Sequence, residues 1–130
     1  MFTKTTRGVK VTAVPHFLAE HSQPDEDHFV WAYTISLENY GNETVQLVSR
    51  HWQITDAQGI TQEVRGPGVI GEQPVLKPGE SFRYTSGTAL AAPSGVMLGK
   101  YEMVGPGGEH FEVDVPAFSL DSPYQVTRLN

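Results

Sequence analysis

The residues with the strongest chemical suggestion lie in the middle of the chain. Arg65-Gly66-Pro67-Gly68-Val69-Ile70-Gly71 contains a Gly-x-Gly-x-x-Gly spacing. Glycines spaced in this way let a backbone turn successive N–H groups toward a phosphate. In a dinucleotide fold the same spacing must open a helix, whose first N–H groups hold the pyrophosphate. Here the continuation is Glu72-Gln73-Pro74-Val75-Leu76-Lys77-Pro78-Gly79. Prolines at these positions break a helix, and no βαβ pattern surrounds the loop. What remains is a helix-free anion nest. Its candidate residues are Arg65, Gly66, Gly68 and Gly71, with Lys77 as a further charge. The simpler expectation, and the favoured one, is that the glycines let the chain cross between sheets at positive φ.

Other polar groupings carry less. Glu20, His21, Asp25, Glu26, Asp27 and His28 could offer imidazole and carboxylate to a divalent cation. Their spacing fits neither an EF-hand nor a paired-histidine helix, and a solvated acidic loop is favoured. In Arg50-His51-Trp52, strand alternation puts Arg50 and Trp52 on one face and His51 on the other. Arg50 could stack on Trp52, but a packed Trp beside a solvent-facing His is preferred. His110 is expected to be exposed. Thr85-Ser86-Gly87 lacks a nucleophile elbow, and Gly95 to Tyr101 is one residue short of a phosphate loop. No catalytic residue, metal-ligand set or cofactor is assigned.

The elements that must position these residues read as strands. Val9, Val11 and Ala13 alternate, with Pro15 suggesting an edge strand or a bend. Phe29, Trp31, Tyr33, Ile35 and Leu37 give the strongest alternation in the chain and predict a half-buried antiparallel strand. Residues 44–55 change phase between Leu47 and Trp52, as a β-bulge or burial on both faces would produce. Asp56-Ala57-Gln58-Gly59 predicts a hairpin into Ile60–Arg65. Residues 80–88 and 96–104 alternate again. Gly105-Pro106-Gly107-Gly108 turns into Phe111, Val113 and Val115, with Pro116 expected to end that strand. A brief helical turn could fall between Ala89 and Gly95. The pattern predicts an all-β fold, a fibronectin type III or immunoglobulin-like sandwich of seven to eight antiparallel strands. One domain is expected over 1–130, with residues 1–7 and 124–130 loosely held.

Composition narrows the class. The chain has 130 residues, a formal net charge of -6 and no cysteine. Disulfides, zinc thiolates and a Cys nucleophile are thereby excluded. The nine Lys and Arg residues form no run, which disfavours nucleic acid and anionic membrane surfaces as partners. No stretch is long and apolar enough for a membrane helix, and the N-terminus lacks a secretory pattern. A cytoplasmic protein is expected.

Several stretches together resemble the ApaG family of bacterial proteins, also called CorD. They are Arg50 to Asp56, Val64 to Pro74, Pro78 to Gly87, Gly95 to Met103 and Phe111 to Phe118. The likeness covers roughly residues 5–123 and is weaker around Ala89 to Pro93. It implies a fibronectin III-like sandwich. The family is tied by genetic context to diadenosine tetraphosphate hydrolase, cobalt tolerance and magnesium efflux. Related domains in eukaryotic F-box and polymerase-interacting proteins look like interaction modules. The resemblance brings no catalytic residues with it. The expected function is therefore a non-enzymatic binding module with a protein partner. The alternatives are a phosphate, pyrophosphate or nucleotide binder using Gly66 to Gly71, and a divalent-cation binder using residues 20–28.

Overall fold

A computed structural model describes residues 1–124. Apart from two 3-10 turns, Ala19–His21 and Pro24–Glu26, its regular elements are strands. These are β1 (Phe2–Thr6), β2 (Val9–Phe17), β3 (Phe29–Asn39), β4 (Val45–Asp56) and β5 (Thr61–Pro67). They continue with β6 (Val75–Leu76), β7 (Ser81–Leu90), β8 (Gly95–Val104) and β9 (His110–Leu120). One sheet has the order β1-β2-β3-β7; the other is β5-β4-β8-β9, with β6 also on β4. All pairings between these strands are antiparallel. The architecture is the two-sheet sandwich that the alternation predicts, with nine strands among the described residues where seven to eight are expected, because β1 and the short β6 carry too little apolar alternation to be read from sequence.

The core follows from side-chain period. The odd-numbered residues of β3, from Phe29 to Leu37, are buried, and the even-numbered ones are half exposed. Each large apolar side chain so buried contributes about 1.5–3 kcal/mol. Tyr33 meets Trp52 and Phe118 from the opposite sheet at centroid distances of 5.6 and 6.1 Å. Trp52 also meets Tyr101 edge-on at 6.1 Å. The Trp31 indole Nε1 donates to the Asp121 carbonyl at 2.8 Å, which ties the end of β9 across the sandwich. Asn39 is buried and fully used: its Nδ2 donates to the Glu43 and Leu76 carbonyls, and its Oδ1 accepts from the Gly41 N–H. Asp56 closes the β4–β5 hairpin, its Oδ1 accepting from the N–H groups of Gln58 and Ile60.

Local chemistry explains where the strands depart from expectation. β2 is not an edge strand, because β1 pairs with it over Val9 to Ala13. Pro15 lies beyond that pairing, so its missing N–H costs no ladder bond on the β1 side. Residues 2–6 are thus held as a strand although they lack a strong apolar pattern. Pro116 does not end β9, which runs on to Leu120. The register slips here, with Met97 opposite Phe118 but Gly99 opposite Val115. A proline at such an irregularity removes no regular bond. β7 reaches Leu90, leaving residues 91–94 as a bend and not a helical turn. Among the described residues, no helix is long and apolar enough to cross a membrane. The expected loose end at 124–130 lies, after Tyr124, outside the described residues.

β4 carries the bulge that its phase change suggests. Leu47 pairs with Met103 and Ser49 with Glu102, so Val48 is the extra residue. The insertion lets Val45 and Leu47 before it, and Trp52 and Ile54 after it, all face the core.

Two expectations follow from this packing. Tyr84 and Tyr101 share a buried hydroxyl–hydroxyl hydrogen bond, and burial raises both above the ordinary tyrosine value of 10.0. A raised folded-state value means that the neutral pair stabilises fully below 10.0 and loses its contribution as pH rises from there. The urea midpoint should therefore hold from neutral pH to about 10 and fall above it. Tyr84→Phe should show a shallower fall; equal slopes would refute the assignment. Separately, a Cβ on Gly99 would lie 2.6 Å from the His51 carbonyl oxygen and 2.7 Å from Trp52 Cε3. Gly99→Ala is expected to cost about 1–3 kcal/mol in chemical denaturation.

Candidate functional site

The sequence candidates separate in space. Arg65 and Gly66 lie in β5, opposite His51 and Arg50. Gly68 and Gly71 lie beyond it, in a tight turn where Val69 bridges to Glu72. Positive φ occurs at Gly68 (60°), Ile70 (44°) and Gly71 (78°). Three amides of this turn are engaged within the protein. Gly68 N–H donates to the Val48 carbonyl at 2.7 Å, Val69 N–H to Glu72 O at 2.8 Å, and Glu72 N–H to Val69 O at 2.9 Å. Val69 is completely buried. Gly68 is required because a Cβ there would stand 2.2 Å from the Glu72 carbonyl oxygen.

Arg50 holds this turn from beneath. Its Nη1 donates to the carbonyls of Pro67 at 3.0 Å and Gly68 at 2.8 Å. The guanidinium lies against Gly66, where a Cβ would come within 3.1 Å of Nη1 and Nη2. Gly66 therefore gives room to an arginine side chain. The stacking recorded in the fold is Arg7 over Phe111 at 4.2 Å, and Arg50 is instead committed to the loop carbonyls. The glycine-rich segment is a latch: a buried valine, a cation on its carbonyls, and three of its amides internally satisfied.

Arg65 belongs to a different grouping. On the outer face of the second sheet, the strand register puts Arg65 opposite His51 and His51 opposite Lys100. Three basic side chains thus form a row across β5, β4 and β8. Glu63 lies 3.8 Å from both His51 Nε2 and Arg65 Nη2, and Glu112 lies 3.7 Å from Lys100 Nζ. These pairs are longer than a hydrogen bond, and their carboxylates are exposed to water that screens them. The Gln53 amide donates to Glu63 and, more than the nearby Arg65 and His51, holds that carboxyl below its ordinary value. His51 Nε2 is shielded from solvent and makes no hydrogen bond.

The row borders a depression of about 500 Å³ whose lining includes Arg65, His51, Lys100, Gln73 and Glu112. A second depression of about 230 Å³ adjoins it, sharing His51, Lys100 and Glu112 and adding Gln53 and Leu98. Leu98 is 42% exposed, and Val96 two residues before it on the same face of β8 is exposed as well. Sequence reading places His51 outward but leaves it and Lys100 unconnected. Neither has a neighbour in sequence that marks it, and the signal exists only in the strand register.

The remaining candidates stay apart. His21 Nδ1 is 3.7 Å from Glu20, and Gln23 bridges to His28 across the second 3-10 turn. Among the described residues, no three His, Asp or Glu side chains gather as a metal-binding group. His110 is exposed and bonded to Glu102 at 2.8 Å. Ser86 lines a narrow cleft with Tyr33, Tyr84 and Arg50.

Gly68→Ala is expected to cost about 2–5 kcal/mol, from the clash and the left-handed backbone together. Gly71→Ala meets nothing within 4 Å, so only its positive φ should cost, about 1–2 kcal/mol. Thermal or urea unfolding of both variants measures the difference. Equal costs would remove the clash from the explanation.

Comparison with known proteins agrees with this architecture. The family model described as the ApaG domain matches residues 19–105. Protein ApaG of Rhodospirillum centenum is 62% identical over 130 residues, the whole of both chains. Protein ApaG of Brucella anthropi is 56% identical, also over the whole of both. A crystal structure of an ApaA protein from Bordetella pertussis superposes with a TM-score of 0.87 at 45% identity, covering 90% of this chain and 95% of that one. With one sandwich, one order of motifs and full-length identity above half, the chain belongs to the ApaG family.

Proposed function

We propose that the protein is a non-enzymatic binding module that docks a segment of another protein on the outer face of its β5-β4-β8-β9 sheet. The observation that carries this reading is the pair of adjoining depressions across the Arg65, His51 and Lys100 row. A concave, mixed polar and apolar surface on a rigid sheet suits recognition. The tyrosines raised most strongly, Tyr84 and Tyr101, face each other in the core, away from this surface. Tyr84 also lines the small cleft that holds Tyr33, Arg50 and Ser86, so the raised tyrosines and the outer-face depressions are separate features. The link with cobalt tolerance and magnesium efflux that the family resemblance implies would then run through the partner and not through metal held by residues 20–28.

A phosphate-bearing small ligand is the second reading, favoured by the convergence of three basic side chains on one depression. Its anchor would be the Arg65 row, since three amides of the Gly68 to Glu72 turn are already engaged.

A photo-crosslinking residue placed at Gln53 should capture a defined protein partner in cells. The same residue at Thr34, on the outer face of the other sheet, should capture none. Equal capture from both positions, or none from Gln53, overturns the binding-module reading. Pyrophosphate titrated into the labelled protein should move the amides of residues 51, 65 and 100 if the second reading is correct, and should leave them still if it is not.

A further inference from the structure

We infer that the partner segment is acidic and apolar in alternation: a carboxylate seated on the Arg65, His51 and Lys100 row, followed by a large aliphatic side chain over Leu98. This rests on the binding-module reading and specifies its ligand.

Charge is the first argument. The chain carries 15 acidic and nine Lys and Arg residues, a net charge of -6. Against that background, the register aligns two permanent cations and a histidine on three neighbouring strands. Their own acids do not close the account. Glu63 and Glu112 stand 3.7–3.8 Å away, beyond hydrogen-bonding distance. By contrast, Lys4 reaches Asp114 at 2.9 Å and His110 reaches Glu102 at 2.8 Å. Asp114 and Glu102 are thus drawn to their own partners, and the central row is left with the looser pairs. A ligand carboxylate can bridge Arg65 and Lys100 with charge-assisted bonds that Glu63 and Glu112 do not make.

Shape is the second argument. The two depressions meet at His51, Lys100 and Glu112, which line both. The larger holds Arg65 and Gln73; the smaller holds Leu98 and Gln53. An extended segment crossing them meets cationic groups first and an exposed leucine next. A shielded ring nitrogen without a hydrogen-bond partner is also here, His51 Nε2, 3.8 Å from the Glu63 carboxylate that an incoming carboxylate would displace. Lipid or nucleic-acid phosphate would meet two glutamates at the rim, Glu102 and Glu112, and no wider basic field. An extended peptide can seat a carboxylate between Arg65 and Lys100 while an apolar residue lies over Leu98; Glu112, which lines both depressions, stays beside Lys100 at 3.7 Å.

The test uses the labelled full chain and a blocked peptide of about ten residues, with a central Asp-Glu-Asp followed by two leucines. Saturable shifts confined to residues 49–53, 63–66 and 98–102 are expected, weakening as salt is raised. Replacing the peptide's acids by Asn and Gln, or its leucines by Ser, should each weaken binding about ten-fold or more. Arg65→Gln with Lys100→Gln should do the same. Both side chains are more than half exposed, so the fold should survive, and Lys10→Gln with Lys77→Gln, which removes the same two charges elsewhere, serves as the charge-matched control with unchanged affinity. Three results would overturn the inference: equal binding of the uncharged peptide, shifts centred on residues 66–72 or on the other sheet, or pyrophosphate displacing the acidic peptide from the row while the leucines make no difference. If Gln53 captures a partner in cells but the acidic peptide does not bind, the inference fails and the binding-module reading stands. If neither occurs, both fail.

Discussion

The extra residue at Val48 decides what both faces of the second sheet present. A strand reverses its facing at every residue, so Leu47 and Trp52, five apart, would point to opposite sides of a regular β4. The bulge removes that conflict, and both are buried in the core. The same slip fixes the neighbours of Trp52. Arg50 turns toward the interior side and reaches the carbonyls of Pro67 and Gly68, and His51 turns outward between Arg65 and Lys100. The latch under the glycine-rich turn and the basic row above the sheet are two consequences of one insertion.

Each glycine near this strand answers a particular crowding. Gly66 leaves room for the Arg50 guanidinium, Gly68 for the Glu72 carbonyl, and Gly99 for the Trp52 indole. A fingerprint that suggests phosphate binding in a helical context here serves packing in a sheet context. The difference lies in where the backbone N–H groups go. A phosphate loop leaves them converging on empty space; this turn donates those of Gly68, Val69 and Glu72 to Val48 and to its own carbonyls. Val69 then enters the core as a plug, holding the crossing from β5 toward β6.

The aromatic side chains join the two sheets. Tyr33, Trp52, Tyr101 and Phe118 touch mostly edge to face or tilted, at 5.6–6.2 Å, geometries that favour aromatic pairs beyond simple burial. Because this cluster anchors β3, β4, β8 and β9 together, the outer face of the second sheet is a stiff platform. Side chains projecting from it keep their spacing, a condition for recognition by charge and shape.

Much of the architecture was legible from the chain alone. The alternation from Phe29 to Leu37 determines a strand with one dry face, because strand period is a local property of consecutive side chains. The phase change between Leu47 and Trp52 announces the bulge, and Asp56 to Gly59 announces its hairpin. β1 and the run of β9 beyond Pro116 were not legible, since the first depends on a neighbour to pair with and the second on a slip in its partner. The candidate site was legible only in part. Arg65 was visible as a cation beside glycines, but its true companions, His51 and Lys100, are 14 and 35 residues away in sequence. Which side chains stand abreast is set by the pairing register of three strands, a non-local quantity that closes only when the bulge, the hairpin and the core packing agree. The sequence determined the sandwich and its dry faces; the tertiary structure decided that the glycine loop is a latch and that the basic residues form a row.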